Sequence, residues 1–391
     1  MKFEKFAARP KGDNARIAKI ISGLKVHDVD THITEPADLW TKRMPKKWGD
    51  RIPHMVFDEK LGQDRWMVNA KPGPKGFGLT DIAPEDVLGG KDPHARLNWM
   101  DRNGIYSQVL FPNIVAFFPI AMMEGELEWS IDCVRAYNEF QHDFCSADPK
   151  RLISTANLPF WDIEASVAEL KRCYDEGAKA LNFGSEFEKI GLPRMRDKHW
   201  EPILKLAEEM DLAVNFHIGF NNEGPDLEKV RAMTPLDQAG WAAMFFCSNI
   251  DCVSELIMGR MCHDYPGLRF VTVESGVGWL PFLVDALDWQ FLNMNLYREY
   301  PDMMLPSEYF TRQIFGTFWF ETDVAYYAEK FPDNLMFESD YPHMTSLTPG
   351  DNYPYVDGPR DTLIANLPGD MSEELITKLL QDNAARVFNL D

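Results

Sequence analysis

Val26-His27-Asp28-Val29-Asp30-Thr31-His32 is the stretch on which the fold turns. It follows a basic lead-in, precedes the Glu35-Pro36 break, and reads as a buried strand ending in polar residues. Side chains alternate along a strand, so Asp28, Asp30 and His32 are expected on one face and His27, Val29 and Thr31 on the other. A carboxylate and an imidazole two residues apart on one face can both reach a single metal ion. A solvated strand end with a capping Asp accounts for the same letters, so this stretch alone leaves both readings open.

The rest of the chain decides between them. Residues 37–93, rich in Trp, Pro, Gly and Lys, read as an irregular insertion folded over the end of the first strand, with 71–76 as a turn cluster. A short helix from Pro93 stops at Asn103-Gly104 and gives way to a strand at 106–111. Helices near 127–147, 162–176, 199–210, 236–263, 278–293, 322–330 and 371–387 then alternate with strands at 152–157, 178–183, 212–217, 268–274, 313–318 and 335–339. Eight strands alternating with helices predict a parallel sheet, and the number fits one closed (β/α)8 TIM barrel over 1–391, with insertions over its carboxyl-end face. An open doubly wound sheet calls for a glycine-rich phosphate turn early in the chain. The nearest match, Gly276-Val277-Gly278, comes late and lacks the third glycine.

Barrel enzymes carry their chemistry at the carboxyl ends of the strands. Ionisable residues collect at those ends here: Asp30-Thr31-His32 on the first strand, Asn215-Phe216-His217 on the fifth, Val273-Glu274-Ser275 on the sixth and Glu338-Ser339-Asp340 on the eighth. Each follows an apolar run, where a charged side chain is costly unless paired or metal-bound. His32, His217, Asp30 and Asp340 make a ligand set for one divalent ion, and Glu274, if it points inward, bridges to a second. For His217 alone a satisfied core histidine is the better account, and Glu274 reads as well as a salt-bridged strand cap. Glu35 and Asp28 are outer ligands, or orient His32 and His217 through hydrogen bonds.

The balance of 40 basic against 61 acidic residues leaves a net charge of −21. Such a surface repels nucleic acid and anionic membranes. An anionic substrate then needs a locally positive site, which a metal supplies. The six cysteines are irregularly spaced and form no CxxC pair, so free thiols are expected. With a charged N-terminus and no stretch read as long and apolar enough to span a bilayer, a cytoplasmic location is expected.

Asp30-x-His32-x-x-Glu35-Pro36, the strand-borne His217 and Ser339-Asp340-Tyr341-Pro342-His343 together resemble the amidohydrolase-related family, relatives of aminocarboxymuconate semialdehyde decarboxylase. Met100-Asp101-x-x-Gly104-Ile105 and Asp382-Asn383-Ala384-Ala385-Arg386 match the same pattern, so the resemblance runs from about residue 26 to the C-terminus. It implies a metal-dependent barrel with ligands Asp30, His32, His217 and Asp340, acting on a small organic acid or amide as a hydrolase or carboxy-lyase. One position departs from the pattern. Where the decarboxylase relatives carry a histidine on the sixth strand, this chain has Glu274-Ser275-Gly276, and His263 lies upstream in what reads as a structural helix end. His343 is then the imidazole left for acid–base work beside Asp340 and Glu274.

Two other functions fit the same barrel. Zinc suits the hydrolytic or decarboxylating reading. A carboxylate-rich set of Asp30, His32, His217, Glu274 and Asp340 suits manganese or iron, and a dinuclear Fe or Mn/Fe centre would support oxygen-dependent hydroxylation with an external electron-transfer partner. The third reading is a non-catalytic barrel subunit in a homo- or hetero-oligomer of related barrels. Trp40, Trp48, Trp66, Phe77, Trp241, Phe245 and Phe246 are expected partly as lid and partly as core, and Arg51, Arg65 and Arg194 are candidates to bind a substrate carboxylate.

Overall fold

The computed structural model describes residues 14–59, 62–72, 84–113, 123, 125–220, 233–343, 345–348 and 358–391. Eight parallel strands form the barrel: β1 His27–Ile33, β2 Ser107–Pro112, β3 in the two pieces Leu152–Ile153 and Thr155–Ala156, β4 Ala180–Asn182, β5 Ala213–His217, β6 Arg269–Val273, β7 Ile314–Phe318 and β8 Leu335–Phe337. β1 pairs with β2 and β2 with the first piece of β3, while the second piece of β3 continues through β4 to β8. Strands buried on both faces read as near-continuous apolar runs, as in Arg269-Phe-Val-Thr-Val273 and Ile314-Phe-Gly-Thr-Phe318.

The sheet closes where the first and last strands meet. Asp340 N–H donates to Asp30 C=O (3.0 Å) and His32 N–H to Tyr341 C=O (2.7 Å). The Asp28 carboxylate completes the seam. It accepts from Ser339 N–H (2.8 Å), Ser339 Oγ (2.6 Å) and Gln108 Nε2 (2.9 Å), although burial pushes its pKa up to about 7. Gln108 Oε1 in turn accepts from the fully buried Arg96, whose guanidinium also donates to Gly89 C=O and His32 C=O.

The barrel is filled, not hollow. Val29, Val109, Phe111, Ile153, Ala180, Ala213, Val271, Val273, Phe315 and Met336 form one inner cluster, plugged by Ala384, Val387 and Phe388 of the helix Asn383–Phe388. Asn383 ties that helix to the start of β8 by donating to Pro332 C=O and Leu335 C=O, which gives the Asp382–Arg386 motif a structural purpose.

Several expectations are corrected. The register of β1 shifts between Asp28 and Thr31, so the simple alternation fails there. A bulge adds a residue and switches parity. Val29 therefore stays in the inner cluster, while Asp30 and His32 both face the barrel mouth and Asp28 turns to the seam. The expected long helix at 236–263 is three helices, Pro235–Phe245, Asn249–Met258 and Met261–Asp264. Within it Pro235–Met258 does reach the length and mean hydropathy (1.2) of a bilayer span. Its second half buries Cys252, Val253, Leu256 and Ile257, whereas Pro235–Phe245 buries no residue. Among its described residues the insertion is not irregular; Lys71–Pro72 of the expected turn cluster is a short strand, and 73–76 lie outside the described residues. It holds the helix Leu39–Arg43 and an antiparallel sheet of His54–Asp58, Gln63–Val68 and Lys71–Pro72. Trp40 and Trp48 are core, donating to Cys133 C=O and Asp132 on the helix Leu127–Cys145, and Trp66 packs edge-on to Trp40. Phe77 lies outside the described residues.

Replacing Asp28 by Ala leaves three buried donors at the seam without an acceptor, each costing about 1–3 kcal/mol. Urea unfolding of chelator-treated Asp28→Ala should show a loss of at least ~3 kcal/mol. A loss below ~1 kcal/mol would show that the seam does not depend on this carboxylate.

Candidate metal centre

Six side chains meet at the carboxyl ends of β1, β5, β6 and β8. β1 brings Asp30 and His32, β5 brings His217, and Glu274, Asp340 and His343 stand just beyond β6 and β8. His217 Nε2 lies 3.1 Å from His32 Nε2, 3.6 Å from Asp30 Oδ1 and 3.4 Å from Glu274 Oε2. His32 Nε2 lies 3.5 Å from Asp30 Oδ1 and 3.6 Å from Asp340 Oδ1. All except His343 are buried.

The backbone aims the two acidic residues that follow strands. Glu274 and Asp340 have φ of 54° and 57°, in the left-handed region that side chains other than Gly seldom occupy. Each therefore turns sharply out of its strand and back over the mouth. Backbone held in such a region is characteristic of functional sites.

The two imidazoles are oriented by backbone carbonyls. His32 Nδ1 faces Pro112 C=O (3.1 Å) and His217 Nδ1 faces Ile218 C=O (2.7 Å). A carbonyl only accepts, so both rings carry their proton on Nδ1 and turn the Nε2 lone pairs toward each other. Asp28 and Glu35, the sequence candidates for this orienting role, do other work. Asp28 closes the seam, and Glu35 accepts from Asn113 N–H (2.9 Å).

Asn113, which the sequence did not single out, fixes the third imidazole. Its Nδ2 donates to Ile33 C=O (2.8 Å), so its Oδ1 is the atom that accepts from His343 Nε2 (2.6 Å). His343 Nδ1 then lies 2.7 Å from Asp340 Oδ1. With Nε2 donating to Asn113, a neutral His343 has no proton on Nδ1. That Asp340 oxygen is itself buried and accepts no hydrogen bond, so the pair is a close contact between imidazole and carboxylate rather than a made hydrogen bond. Thr345 Oγ1 donates to the other Asp340 oxygen, and the His343 ring stacks on His32 with centroids 3.8 Å apart. His263, by contrast, contacts Tyr309 Oη and Asp302.

The donor set fits a cation. Metal–nitrogen bonds of about 2.0–2.1 Å let two nitrogens 3.1 Å apart share one ion. Both Asp30 oxygens are buried and accept no hydrogen bond. Burial first, then the neighbouring carboxylates, raises the pKa of Asp30 and Glu274 well above the ordinary range. Burial likewise lowers His32, and takes His217 down to about 4. A divalent ion reverses each of these costs. Asp30–His32–His217, His32–Asp340–His343 and Asp30–Glu274–Asp340 each offer ligand atoms within 4.8 Å of one another.

A further buried acid, Glu338, faces the barrel interior two residues after the inner-cluster Met336. Its Oε2 accepts from Glu274 N–H (3.1 Å), and burial raises its pKa, reinforced by Asp30. It was legible only as part of a polar strand end. The arginines proposed for substrate are tied elsewhere: Arg51 to Asn69 and Glu126, Arg65 to Asp58, and Arg194 to Glu255. Of the lid aromatics, Phe246 reaches the mouth through Trp319, which donates to Thr345 C=O, while Trp241 and Phe245 stack on each other.

Comparison with known proteins shows the family. The amidohydrolase family model matches residues 28–390. A 2-amino-3-carboxymuconate-6-semialdehyde decarboxylase from Dictyostelium discoideum is 26% identical over 366 residues, covering 90% of this chain and 91% of its own. A gamma-resorcylate decarboxylase from Rhodococcus jostii is 27% identical, covering 63% of this chain and 76% of its own. Among solved structures, an amidohydrolase from Mycobacterium avium subsp. paratuberculosis superposes with a TM-score of 0.74 at 20% identity, covering 94% of this chain and 98% of that one. A manganese-bound 5-carboxyvanillate decarboxylase from Novosphingobium aromaticivorans gives 0.63 at 18% identity, covering 94% and 97%. The chain belongs to the amidohydrolase family, and it is an enzyme of that family.

Proposed function

We propose that this enzyme is a metal-dependent carboxy-lyase that removes CO2 from a small unsaturated or aromatic carboxylic acid. The observation that carries the reading is the Asp340–His343 contact of 2.7 Å at the edge of a two-histidine, two-carboxylate ligand set. Decarboxylation needs a proton delivered to the carbon that CO2 leaves, and the partly exposed His343 imidazole beside Asp340 is the group at the mouth suited to carry it. The named decarboxylases among the relatives support the choice over hydrolysis.

His32, His217, Asp30 and Asp340 are the residues that would hold the ion. When bound, the ion polarises a substrate oxygen and offsets the negative charge of the acid in an otherwise acidic pocket. The chain's own residues do the rest. The Asp340–His343 pair gives its proton to the substrate carbon as the C–C bond breaks and CO2 departs, and takes up another from solvent before the next cycle. Asn113 and Glu35 keep the His343 ring at the angle this requires. Phe246 and Trp319 shield the mouth on one side, limiting water around the carbon that receives the proton. Nitrogen and carboxylate ligands together suit manganese, iron or zinc, and a relative's structure with bound manganese favours the first.

Two measurements test this. Metal uptake by chelator-stripped enzyme should release protons, because Asp30 and Glu274 start with raised pKa values, and affinity should fall as the pH is lowered from 8 to 5.5. Calorimetry in buffers of different ionisation heat reads this, and flat affinity with no proton release would contradict the ligand set. Turnover of aromatic and unsaturated acids such as 2,6-dihydroxybenzoate in D2O should leave one deuterium on the carbon that lost CO2. His343→Gln should lower kcat by roughly 100- to 10,000-fold with metal content unchanged. Normal kcat in that variant would remove His343 from the mechanism.

A further inference from the structure

An apolar wall runs outward from the centre. Trp319, Phe246 and Phe320 hold their rings 4.5–5.5 Å apart, centroid to centroid, each against the other two. Trp319 is buried, and its Nε1 donates to Thr345 C=O (3.2 Å). Thr345 Oγ1 donates in turn to the Asp340 carboxylate, so the wall begins one residue away from that acid. Phe320 reaches the acid on the other side. A Cβ built at Gly276 would lie 3.3 Å from Phe320 Cζ, which puts this ring against the turn that follows Glu274. Phe320 is 47% exposed, and the helix Pro235–Phe245 that leads into Phe246 buries no residue. Aromatic surface left open beside a few convergent polar groups is the make-up of a small-molecule site.

Glu321 fixes the wall in place. Its Oε1 accepts from Val277 N–H (2.6 Å) and its Oε2 from Trp319 N–H (3.1 Å), so one buried carboxylate ties the wall to the Glu274 turn. A wall held in this way loses little freedom when a ligand packs on it. Charge says what that ligand lacks. Asp30, Glu274, Glu338, Asp340 and Glu321 are the buried acids of the centre and its wall. Among the described residues, no lysine or arginine lies within ion-pair distance of any of them. The ion that the ligand set would hold answers one substrate carboxylate. A second anionic group would face acids and aromatic rings without a counter-charge, which is a costly placement.

We propose that the substrate is a monocarboxylic acid with an uncharged, apolar body, and that Trp319, Phe246 and Phe320 select it by packing against that body. The inference rests on the carboxy-lyase reading above and narrows the class of acid. Dicarboxylic acids are disfavoured by the same wall. Each added methylene that reaches the rings should raise kcat/KM by about fourfold.

The test uses full-length, Mn2+-loaded enzyme and 2-hydroxybenzoates bearing methyl, ethyl, propyl or butyl opposite the carboxylate, together with the analogue that carries a second carboxylate there. Release of CO2 gives kcat/KM, and titration calorimetry gives binding separately. The expected result is a rise of about fourfold per methylene, with the dicarboxylate roughly 100-fold poorer than the propyl compound. Phe320→Ala and Phe246→Ala should each flatten the rise to less than about twofold per methylene. Phe320→Arg should improve use of the dicarboxylate by roughly tenfold, by supplying the missing counter-charge. A flat series in the wild type, or a dicarboxylate used as well as the propyl compound, would overturn the apolar body and leave the carboxy-lyase reading standing. A series that binds with the expected rise and releases no CO2 would overturn that reading and leave the wall. A rise that survives in both Ala variants would overturn the wall, as would a dimer that both variants dissociate without changing the series. Neither binding nor turnover of any of these acids would remove both.

Discussion

The Asp28 carboxylate at the seam between β8 and β1 is the constraint on which the rest depends. A parallel barrel closes only if its last strand finds its first, and here that strand is short, ending at Phe337. Beyond it the backbone no longer runs as a regular strand, and Asp28 takes the place of ladder bonds by gripping Ser339. That grip sets where Asp340 begins. Its N–H reaches Asp30 C=O, and the carboxylates of both residues come to the mouth together. Closure of the fold and assembly of the ligand set are thus one event. The cost is a buried acid, met by three donors and by the nearby charge of Arg96.

Arg96 extends the same logic to the other side of β1. Its guanidinium donates to His32 C=O while its plane lies over the Tyr341 ring, 4.5 Å from the centroid. Tyr341 is stacked on Trp99 and accepts from His32 N–H through its carbonyl. His32 is therefore held at both backbone polar groups and at Nδ1. A ligand so fixed loses little freedom when it binds an ion, and that is where the affinity of a preorganised site comes from.

The sequence made much of this legible, and the physics says why. The alternation of apolar runs with amphipathic helices predicted the barrel, because strands covered by helices on one side and a filled interior on the other must be apolar throughout. Polar residues at the ends of such runs predicted Asp30, His32, His217, Glu274 and Asp340, since burial makes an unpaired acid or imidazole conspicuous. What escaped depended on geometry that no local pattern carries. The bulge in β1 moves Asp28 off the face of Asp30 and His32, and nothing in the letters marks it. Asn113 follows β2 as an ordinary polar residue, and only the tertiary approach of His343 gives it a role. Glu338 is visible in the sequence as polar but not as inward-facing, because the pattern predicts a strand to 339 while β8 ends at Phe337.

The departure at the sixth strand now has a physical consequence. With Glu274 in place of an imidazole, that position adds negative charge to the mouth and has no neutral base to offer. The only imidazole among the described residues that combines an acidic neighbour at 2.7 Å with partial exposure at the mouth is His343. It stacks on the face of the His32 ring, while His217 meets that ring at its Nε2 edge. In the reaction proposed above, the substrate acid would meet cation charge from the ligand side and take its proton from the His343 side, next to the Phe246–Trp319 contact.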